Sequence, residues 1–166
     1  AVRHGMTMGE LARFMTSHLN VDADLEVIPC TGWSRSQVQN DIDLPWVLPS
    51  PNMPTPETAL IYPGMCLVEG TTLSEGRGTT LPFHLVGAPG LDGHRFAEVA
   101  LQLTRELELS GVTFRPTTFV PHIQKHRGET CQGIQVHVME ADRLHSPMRG
   151  MVVITAAALT MGNAFQ

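Results

Sequence analysis

The chain has little charge and few aromatic residues: of its 166 residues, 16% are charged and 5% are aromatic. It carries 11 Lys and Arg residues against 16 Asp and Glu residues, which gives a net charge of -5, and no basic run stands out. Binding to nucleic acid needs clustered cations that neutralise phosphates, so no nucleic-acid partner is expected. No segment approaches the ~20 apolar residues that cross a bilayer, so the chain is not expected to span a membrane.

Several motifs of known chemistry are missing. The chain contains no phosphate-binding Gly-Lys-Ser/Thr loop, no dinucleotide-binding Gly-x-Gly-x-x-Gly pattern and no Gly-x-Ser-x-Gly nucleophile elbow. Cysteines occur only at Cys30, Cys66 and Cys131, far apart and among apolar neighbours, which predicts buried free thiols rather than disulfides. No cofactor is therefore expected.

A metal site is the first function that eight histidines suggest. His122 and His126 have the spacing that places two imidazoles on one helical face. No Glu follows the first of them, as a zinc hydrolase pattern requires, and Pro121 and Gly128 leave hardly a turn of helix between them. We therefore predict no metal site.

The chemistry that is present is concentrated between Glu69 and Phe83. This stretch contains two carboxylates, one guanidinium, three glycines and five hydroxyls. Its glycines allow positive φ and a close approach of a ligand to the main chain, and Arg77 adds a planar group of five donors. Glu69 and Glu75 are the two groups that acid/base chemistry would need, although they could equally pair with Arg77 and brace the loop.

The rest of the chain supplies aromatic and polar groups suited to a carbohydrate. Thr79 and Thr80 belong to the same loop as Arg77, and Trp33 and Arg35 follow a predicted strand over 25–30. Trp46 and Asn52 lie in a proline-rich loop, where an aromatic platform is typical of sugar sites. Gln135 and His137 alternate with apolar residues of a predicted strand over 131–138 and so share its other face.

Local signals predict the remaining elements. Thr7 and Glu10 form a capping box for a helix over 8–19, and Thr55 caps a second helix. Asp92 caps a helix from about 94 to 107, and a last helix starts at Asp142 or Ser146. Strands are predicted over 82–87 and over 112–115 and 118–120, the last two being broken by Pro116.

The chain contains a long series of short motifs: Arg3-His4-Gly5-Met6-Thr7, Gly9-Glu10-Leu11-Ala12, Gly32-Trp33-Ser34-Arg35, Leu44-Pro45-Trp46-Val47, Pro49-Ser50-Pro51-Asn52-Met53-Pro54, Glu69-Gly70-Thr71, Leu73-Ser74-Glu75-Gly76-Arg77-Gly78-Thr79-Thr80, Pro82-Phe83 and Gln135-Val136-His137-Val138. This series closely resembles one bacterial family, formerly of unknown function, that is associated with exo-acting β-N-acetylmuramidases. The resemblance is continuous over most of the chain. It implies release of N-acetylmuramic acid from the non-reducing end of peptidoglycan fragments.

The resemblance also implies a fold and a site. The fold is α/β leading into α+β: residues 1–81 would end a Rossmann-like parallel layer, and residues 82–166 would form a smaller mixed α+β region. The active site would lie in the cleft between the two regions. Glu69 and Glu75 would be the acid/base candidates, with Arg77 recognising the lactyl carboxylate or sugar hydroxyls. The alternative is a non-catalytic cell-wall sugar-binding or sensing module that uses the same cleft.

Two departures from the family pattern matter. Relatives are longer, with a Rossmann-like region that would precede Ala1, so a catalytic carboxylate could lie there and weak or no activity is expected of these 166 residues alone. His84 stands where many relatives carry Glu. The expected partner is a small saccharide or muropeptide, and the substrate class implies a periplasmic or secreted location. An unpaired sheet edge near the N-terminus would also permit a homodimer.

Overall fold

The computed structural model describes residues 5–166, which form two compact units, 5–44 and Pro45–Gln166. Arg3 and His4, which begin the first family motif, lie outside the described residues. The helices and strands, in chain order, are α1 Met8–His18, α2 Pro56–Met65, β1 Leu85–Ala88, α3 Gly93–Glu106, β2 Val112–Phe119, β3 Cys131–Val138 and α4 Ser146–Met161. Short 3-10 helices cover Gln39–Asp41, Cys66–Gly70, Ala141–Arg143 and Gly162–Ala164.

The predicted capping box of α1 is confirmed. The amide of Glu10 donates to the Thr7 hydroxyl at 3.2 Å, and the amide of Thr7 donates to the Glu10 carboxylate at 2.7 Å. No residue of α1 is buried, although Leu11, Phe14 and Met15 recur at helical spacing. Local capping therefore defines this helix more than burial does.

The predicted strand over 25–30 is wrong for the described residues, because this segment has no assigned secondary structure. Its apolar side chains are exposed, Ile28 to 86%. A strand exists only through hydrogen bonds to a neighbouring segment, and no described residue pairs with this one. A mixed α/β composition is confirmed, whereas the Rossmann-like parallel layer is not confirmed in the described part of the chain.

One antiparallel sheet of three strands forms the centre of the unit Pro45–Gln166. Its order is β1-β3-β2, with Val86 opposite Ile134 and Phe114 opposite Val136. Strand β3 is therefore central and both of its neighbours are edge strands. The buried residues Val86, Ile134 and Val136 belong to the same core as buried residues of α3 and α4. The prediction that Ile134 and Val136 pack inward while Gln135 and His137 alternate with them is confirmed.

Strand β2 corrects the prediction that Pro116 divides it. The strand runs unbroken from Val112 to Phe119, and Pro116 pairs in register with Ile134. Proline cannot donate a ladder hydrogen bond, but an edge strand has one side free of partners and tolerates the loss. The position of β2 at the sheet edge, which depends on the tertiary fold, overrides the local signal.

Helices α2 and α4 meet through their main chains. A Cβ atom on Gly150 would lie 2.1 Å from the carbonyl oxygen of Gly64, so neither position has room for a side chain. Ser146 joins the same contact, because its hydroxyl accepts from the amide of Gly64 at 2.9 Å and donates to the carbonyl of Ile61 at 2.7 Å. Pro63, which lacks an amide hydrogen, lies inside α2 without ending it, and Ser146 satisfies neighbouring backbone groups.

The cysteines are all free, as predicted, but only one of them is buried. Cys131 is fully buried in β3, and burial raises the pKa of its thiol to about 11. Cys66 is partly buried, and Cys30 is exposed because it is the last residue of the segment 25–30, which forms no strand. The prediction of three buried thiols is therefore wrong for Cys30.

Candidate functional site

The glycine-rich loop after α2 is fixed to the edge of the sheet. Helix α2 leads directly into the 3-10 helix Cys66–Gly70, which carries Glu69 at its end. Ser74 and Gly87 form an isolated antiparallel bridge with hydrogen bonds of 2.8 and 3.1 Å, and the amide of Phe83 donates to the carbonyl of Glu75 at 2.6 Å. The loop therefore pairs with the outer edge of β1 and has a defined conformation.

Glu75 is buried between two cations. Its side chain is 2% exposed, with Oε1 3.2 Å from Arg77 Nε and Oε2 3.3 Å from Lys125 Nζ. Neither contact is aligned as a hydrogen bond, so Glu75 Oε2 and Arg77 Nε have no hydrogen-bond partner among the described residues. The carboxylate is therefore stabilised mainly by the charges beside it, and it presents little surface to a ligand.

Arg77 connects the two glutamates of the loop. Its Nη2 donates to Glu69 Oε1, and its guanidinium carbon lies 5.2 Å from the centre of the Phe83 ring, a cation–π distance. The Glu69 side chain is 38% exposed and that of Arg77 is 20% exposed. In contrast to Glu75, this pair is accessible from solvent.

Lys125 completes the cluster, and the sequence analysis missed it. Its Nζ donates to the carbonyls of Val68 at 3.2 Å, Glu69 at 2.9 Å and Leu73 at 2.9 Å, in addition to its contact with Glu75. We call Glu69, Glu75, Arg77 and Lys125 the Glu75 cluster. One signal could have drawn attention to Lys125: it is the only lysine in the sequence.

The loop that carries Lys125 is held against the glycine-rich loop at two further points. The amide of His122 donates to the carbonyl of Gly78 at 3.1 Å, and His126 Nε2 lies 2.7 Å from the carbonyl oxygen of Thr72. Gly78 has φ +78°, and a Cβ there would lie 2.5 Å from the amide nitrogen of Ile123. Of the two histidines considered as metal ligands, His122 thus contacts this loop through its amide and His126 through its ring. Residues 5–166 contain no cluster of three metal-ligating side chains.

The two loop threonines differ in their surroundings. The Thr79 hydroxyl donates to the carbonyl of Gly76 at 2.6 Å and accepts from the amide of Leu81 at 3.1 Å, so it supports the turn. Thr80 is exposed. The structure therefore brings Glu69, Glu75 and Arg77 together as the sequence suggested, while the hydroxyl of Thr79 is occupied within the loop.

Trp46 and Asn52, two predicted sugar contacts, form hydrogen bonds within the proline-rich loop itself. Trp46 Nε1 donates to the carbonyl of Met53 at 3.2 Å, and the amide of Asn52 donates to the Ser50 hydroxyl at 3.2 Å, so both stabilise the proline-rich loop. Both side chains are partly buried. Their proposed contact with a sugar stays a prediction.

Trp33 and Arg35 belong to the unit 5–44. Arg35 Nη2 donates to both carboxylate oxygens of Glu10, at 2.7 and 2.9 Å, and its guanidinium carbon lies 5.6 Å from the centre of the Trp33 ring. The hydrogen bond from Arg35, followed by that from the Thr7 amide, lowers the pKa of Glu10 from 4.5 to about 2. Arg35 therefore reinforces the capping box of α1.

Gln135 and His137 lie on the same face of β3, both partly exposed. Gln135 Oε1 accepts a hydrogen bond of 2.5 Å from Arg115 Nη2, its partner in register on β2. This contact is the cross-strand pairing expected of opposed polar side chains. A role for either residue in substrate binding stays a prediction.

His84 is buried at the start of β1. Its Nδ1 lies 3.2 Å from the carbonyl oxygen of Val136, and its Nε2 lies 3.4 Å from the hydroxyl of Thr58. Burial lowers the pKa of His84, although the Val136 carbonyl and the Glu57 carboxylate, 3.6 Å from Nδ1, oppose that effect. With Nδ1 donating and Nε2 accepting, both contacts suit a neutral imidazole.

Two solved structures that resemble this chain are DUF1343 family proteins from Bacteroides fragilis NCTC 9343. The first is 28% identical with a TM-score of 0.81 and the second is 29% identical with a TM-score of 0.62. The first alignment covers 93% of this chain and 40% of the solved protein, and the second covers 97% of this chain and 42% of the solved protein. None of the helices within residues 5–166 is long and apolar enough to cross a membrane.

A curated relative and two family models match this chain in sequence. The chain is 44% identical over 153 residues to peptidoglycan beta-N-acetylmuramidase NamZ of Bacillus subtilis (strain 168), which covers 92% of this chain, and it spans 36% of that relative's length. Residues 1–57 match the model described as exo-beta-N-acetylmuramidase NamZ, N-terminal, and residues 60–166 match the corresponding C-terminal model. The chain therefore belongs to the exo-β-N-acetylmuramidase NamZ family.

Proposed function

We propose that this chain is part of a glycoside hydrolase that releases N-acetylmuramic acid from peptidoglycan-derived sugars. The observation that carries the proposal is the accessible Glu69–Arg77 pair, fixed on a braced loop in a chain 44% identical to a peptidoglycan β-N-acetylmuramidase. N-Acetylmuramic acid combines a lactyl carboxylate with ring hydroxyls. A guanidinium and a carboxylate side by side can bind both kinds of group.

Arg77 is the proposed anchor for the lactyl carboxylate. Its Nη2 is held by Glu69 and one face by Phe83, while no described residue accepts from its Nη1. The guanidinium is thus oriented before a ligand arrives and retains donor capacity. Thr80, exposed in the same loop, is a proposed contact for a sugar hydroxyl.

Of the two glutamates, Glu69 is the better acid/base candidate. A general acid or base must come within hydrogen-bonding distance of the proton that it transfers. The Glu69 side chain is 38% exposed, whereas that of Glu75 is 2% exposed and enclosed by Arg77 and Lys125. We therefore assign Glu75 to bracing the site.

A glycosidase of the usual kind needs a second carboxyl, about 5 Å away in retaining enzymes and about 6.5–9.5 Å away in inverting ones. The burial of Glu75 makes it a poor partner for Glu69. Because this chain spans 36% of its curated relative, we propose that the second carboxyl comes from another part of the full-length protein. The isolated chain is then expected to bind sugar weakly and to release little or none.

Release of sugar from a chromogenic N-acetylmuramide by the full-length protein tests the proposal. Glu69→Gln should abolish release and preserve binding of N-acetylmuramic acid, because the substitution keeps the shape of the side chain and removes the titratable group. Arg77→Met should weaken binding of N-acetylmuramic acid more than binding of N-acetylglucosamine, which lacks the lactyl carboxylate. Full activity in both variants would refute the assignment.

A second candidate function is a non-catalytic module that binds or senses cell-wall sugars. The observation that favours it is that both carboxylates of the glycine-rich loop are already paired with cations. The same assay separates the two functions. Binding of N-acetylmuramic acid by the full-length protein, without any release from the chromogenic substrate, would support the module and refute the hydrolase.

Two further proposals concern context. We infer that the segment 25–30 supplies a strand to a Rossmann-like parallel layer in the full-length protein, since it is mostly apolar and follows a helix. Peptidoglycan is an extracytoplasmic polymer, so we also propose a periplasmic or secreted location. Hydrogen exchange of the 25–30 amides in the full-length protein and cell fractionation test these two proposals separately.

A further inference from the structure

Lys125 is surrounded by oxygen atoms. Three carbonyls, from Val68, Glu69 and Leu73, accept from its ammonium group at 2.9–3.2 Å, and Glu75 Oε2 lies 3.3 Å away. An ammonium group has three hydrogens, and the three carbonyls use all of them. The remaining interaction with Glu75 is electrostatic.

Two of these carbonyls, those of Val68 and Glu69, belong to the 3-10 helix that carries Glu69, and the third, that of Leu73, follows it. This 3-10 helix spans Cys66–Gly70, and the last carbonyls of a helix lack partners within it. A lysine at that end supplies donors and also matches the negative end of the helix dipole. Lys125 therefore fixes the main chain at Glu69.

The cluster closes into a ring of contacts. Lys125 contacts the Glu75 carboxylate, Glu75 contacts Arg77, and Arg77 donates to the Glu69 side chain. The Glu69 carbonyl then returns the chain of contacts to Lys125. The ring contains two positive and two negative groups, so its formal charges balance.

We propose that Lys125 is a positioning residue: it holds the Glu69 main chain and the Glu75 carboxylate so that Arg77 and the Glu69 side chain are oriented for the substrate. The inference rests on the proposed hydrolase function for its catalytic consequence. Removing the ammonium opens the ring at two places at once. It takes one donor from the Val68 carbonyl, which still accepts from Thr71, and leaves the Glu69 and Leu73 carbonyls without a donor. It also leaves Glu75 with one cation instead of two.

Three substitutions in the full-length protein test this role. Lys125→Met keeps the length of the stem and removes the charge, and Lys125→Arg restores a cation with several donors. Arg127→Met is the matched control, because it removes a cation from an exposed position in the same loop. The assay is release of sugar from a chromogenic N-acetylmuramide, with kcat and KM determined separately.

We expect Lys125→Met to lower kcat/KM by about 100-fold, the effect of misplacing a reacting group by about 1 Å, with most of the loss in kcat. Lys125→Arg should recover at least part of it, and Arg127→Met should stay within about twofold of the wild type. Equal kcat/KM in the Lys125→Met and Arg127→Met proteins would overturn the proposal. So would a Lys125→Met protein that melts earlier but keeps its wild-type kcat and KM when folded.

A readout that needs no turnover separates this inference from the proposed function. Hydrogen exchange of the amides over 69–76 should be at least about tenfold faster in Lys125→Met than in Arg127→Met, because the turn loses its anchor. If the wild-type protein releases no sugar, the hydrolase proposal fails and exchange alone decides the role of Lys125. Unchanged exchange in Lys125→Met would overturn the positioning role.

Discussion

The roles of Glu75 and Glu69 should separate in stability measurements. Glu75→Gln preserves shape and removes a charge that lies 3.2 Å from Arg77 Nε and 3.3 Å from Lys125 Nζ. At an effective dielectric constant of about 20, each contact is worth about 5 kcal/mol before desolvation is counted. Removing one partner of a buried pair costs about 3–5 kcal/mol. Because the Arg77 and Lys125 side chains are 20% and 30% exposed, water can solvate the two cations and offset part of this loss. We expect a loss of about 3 kcal/mol.

Glu69→Gln removes a carboxylate that is 38% exposed and has one cationic partner. Partly exposed pairs of this kind contribute about 0.2–1 kcal/mol, so its cost in stability should be small. Glu98→Gln serves as the control, because Glu98 pairs with Arg95 at the surface and its side chain is 70% exposed. This substitution should lower the free energy of unfolding by no more than about 0.5 kcal/mol. The expected order of destabilisation is Glu75, then Glu69, then Glu98.

Urea unfolding of the 166-residue chain, followed by circular dichroism, measures these differences. Urea is preferred to guanidinium because it leaves charge interactions unscreened. The three variants should share one m value, so that midpoints compare directly. A Glu75→Gln protein within about 1 kcal/mol of the wild type, or no less stable than Glu69→Gln, would refute the bracing role.

Three other changes have defined outcomes. Gly150→Ala forces a Cβ to within 2.1 Å of the Gly64 carbonyl oxygen and should cost about 3 kcal/mol, seen as a lower melting temperature; an unchanged one would contradict the close helix contact. Burial lowers the pKa of His84, so below pH 6.5 the unfolded chain takes up a proton that the folded chain refuses. The free energy of unfolding should therefore decrease as the pH is lowered from 7 to 5. Unfolding measured at these two pH values should show a smaller decrease in His84→Gln than in the wild type. Arg35→Met should raise the pKa of Glu10 from about 2 towards 4.5, and an NMR titration that finds no rise would exclude their hydrogen bond.

Elements set by neighbouring residues were predictable from the sequence. The capping box of Thr7 and Glu10 defines the start of α1, and Asp92 caps α3 through the amide of Arg95. Alternation along β3 was also sufficient to separate buried Val136 from partly exposed Gln135. In each case the residues that determine the element lie within a few positions of one another in the sequence.

Features set by distant residues were not predictable. Pro116 lies in an unbroken strand because β2 is at a sheet edge, and 25–30 forms no strand because no described segment pairs with it. Lys125 contacts carbonyls that are 52 to 57 positions away in sequence. The glycine-rich loop could be recognised from composition, but which of its glutamates is buried depends on the tertiary fold, which also brings that distant lysine to Glu75.

The main-chain contact between α2 and α4 has an evolutionary consequence. Gly64 lies two residues before the 3-10 helix that carries Glu69, so the start of that helix is held against α4 by backbone atoms and the Ser146 hydroxyl. Substitutions on the outer face of α4 should leave the geometry of the glycine-rich loop intact. Positions 64, 146 and 150 should instead covary among relatives, because a larger residue at one of them would shift the 3-10 helix that carries Glu69.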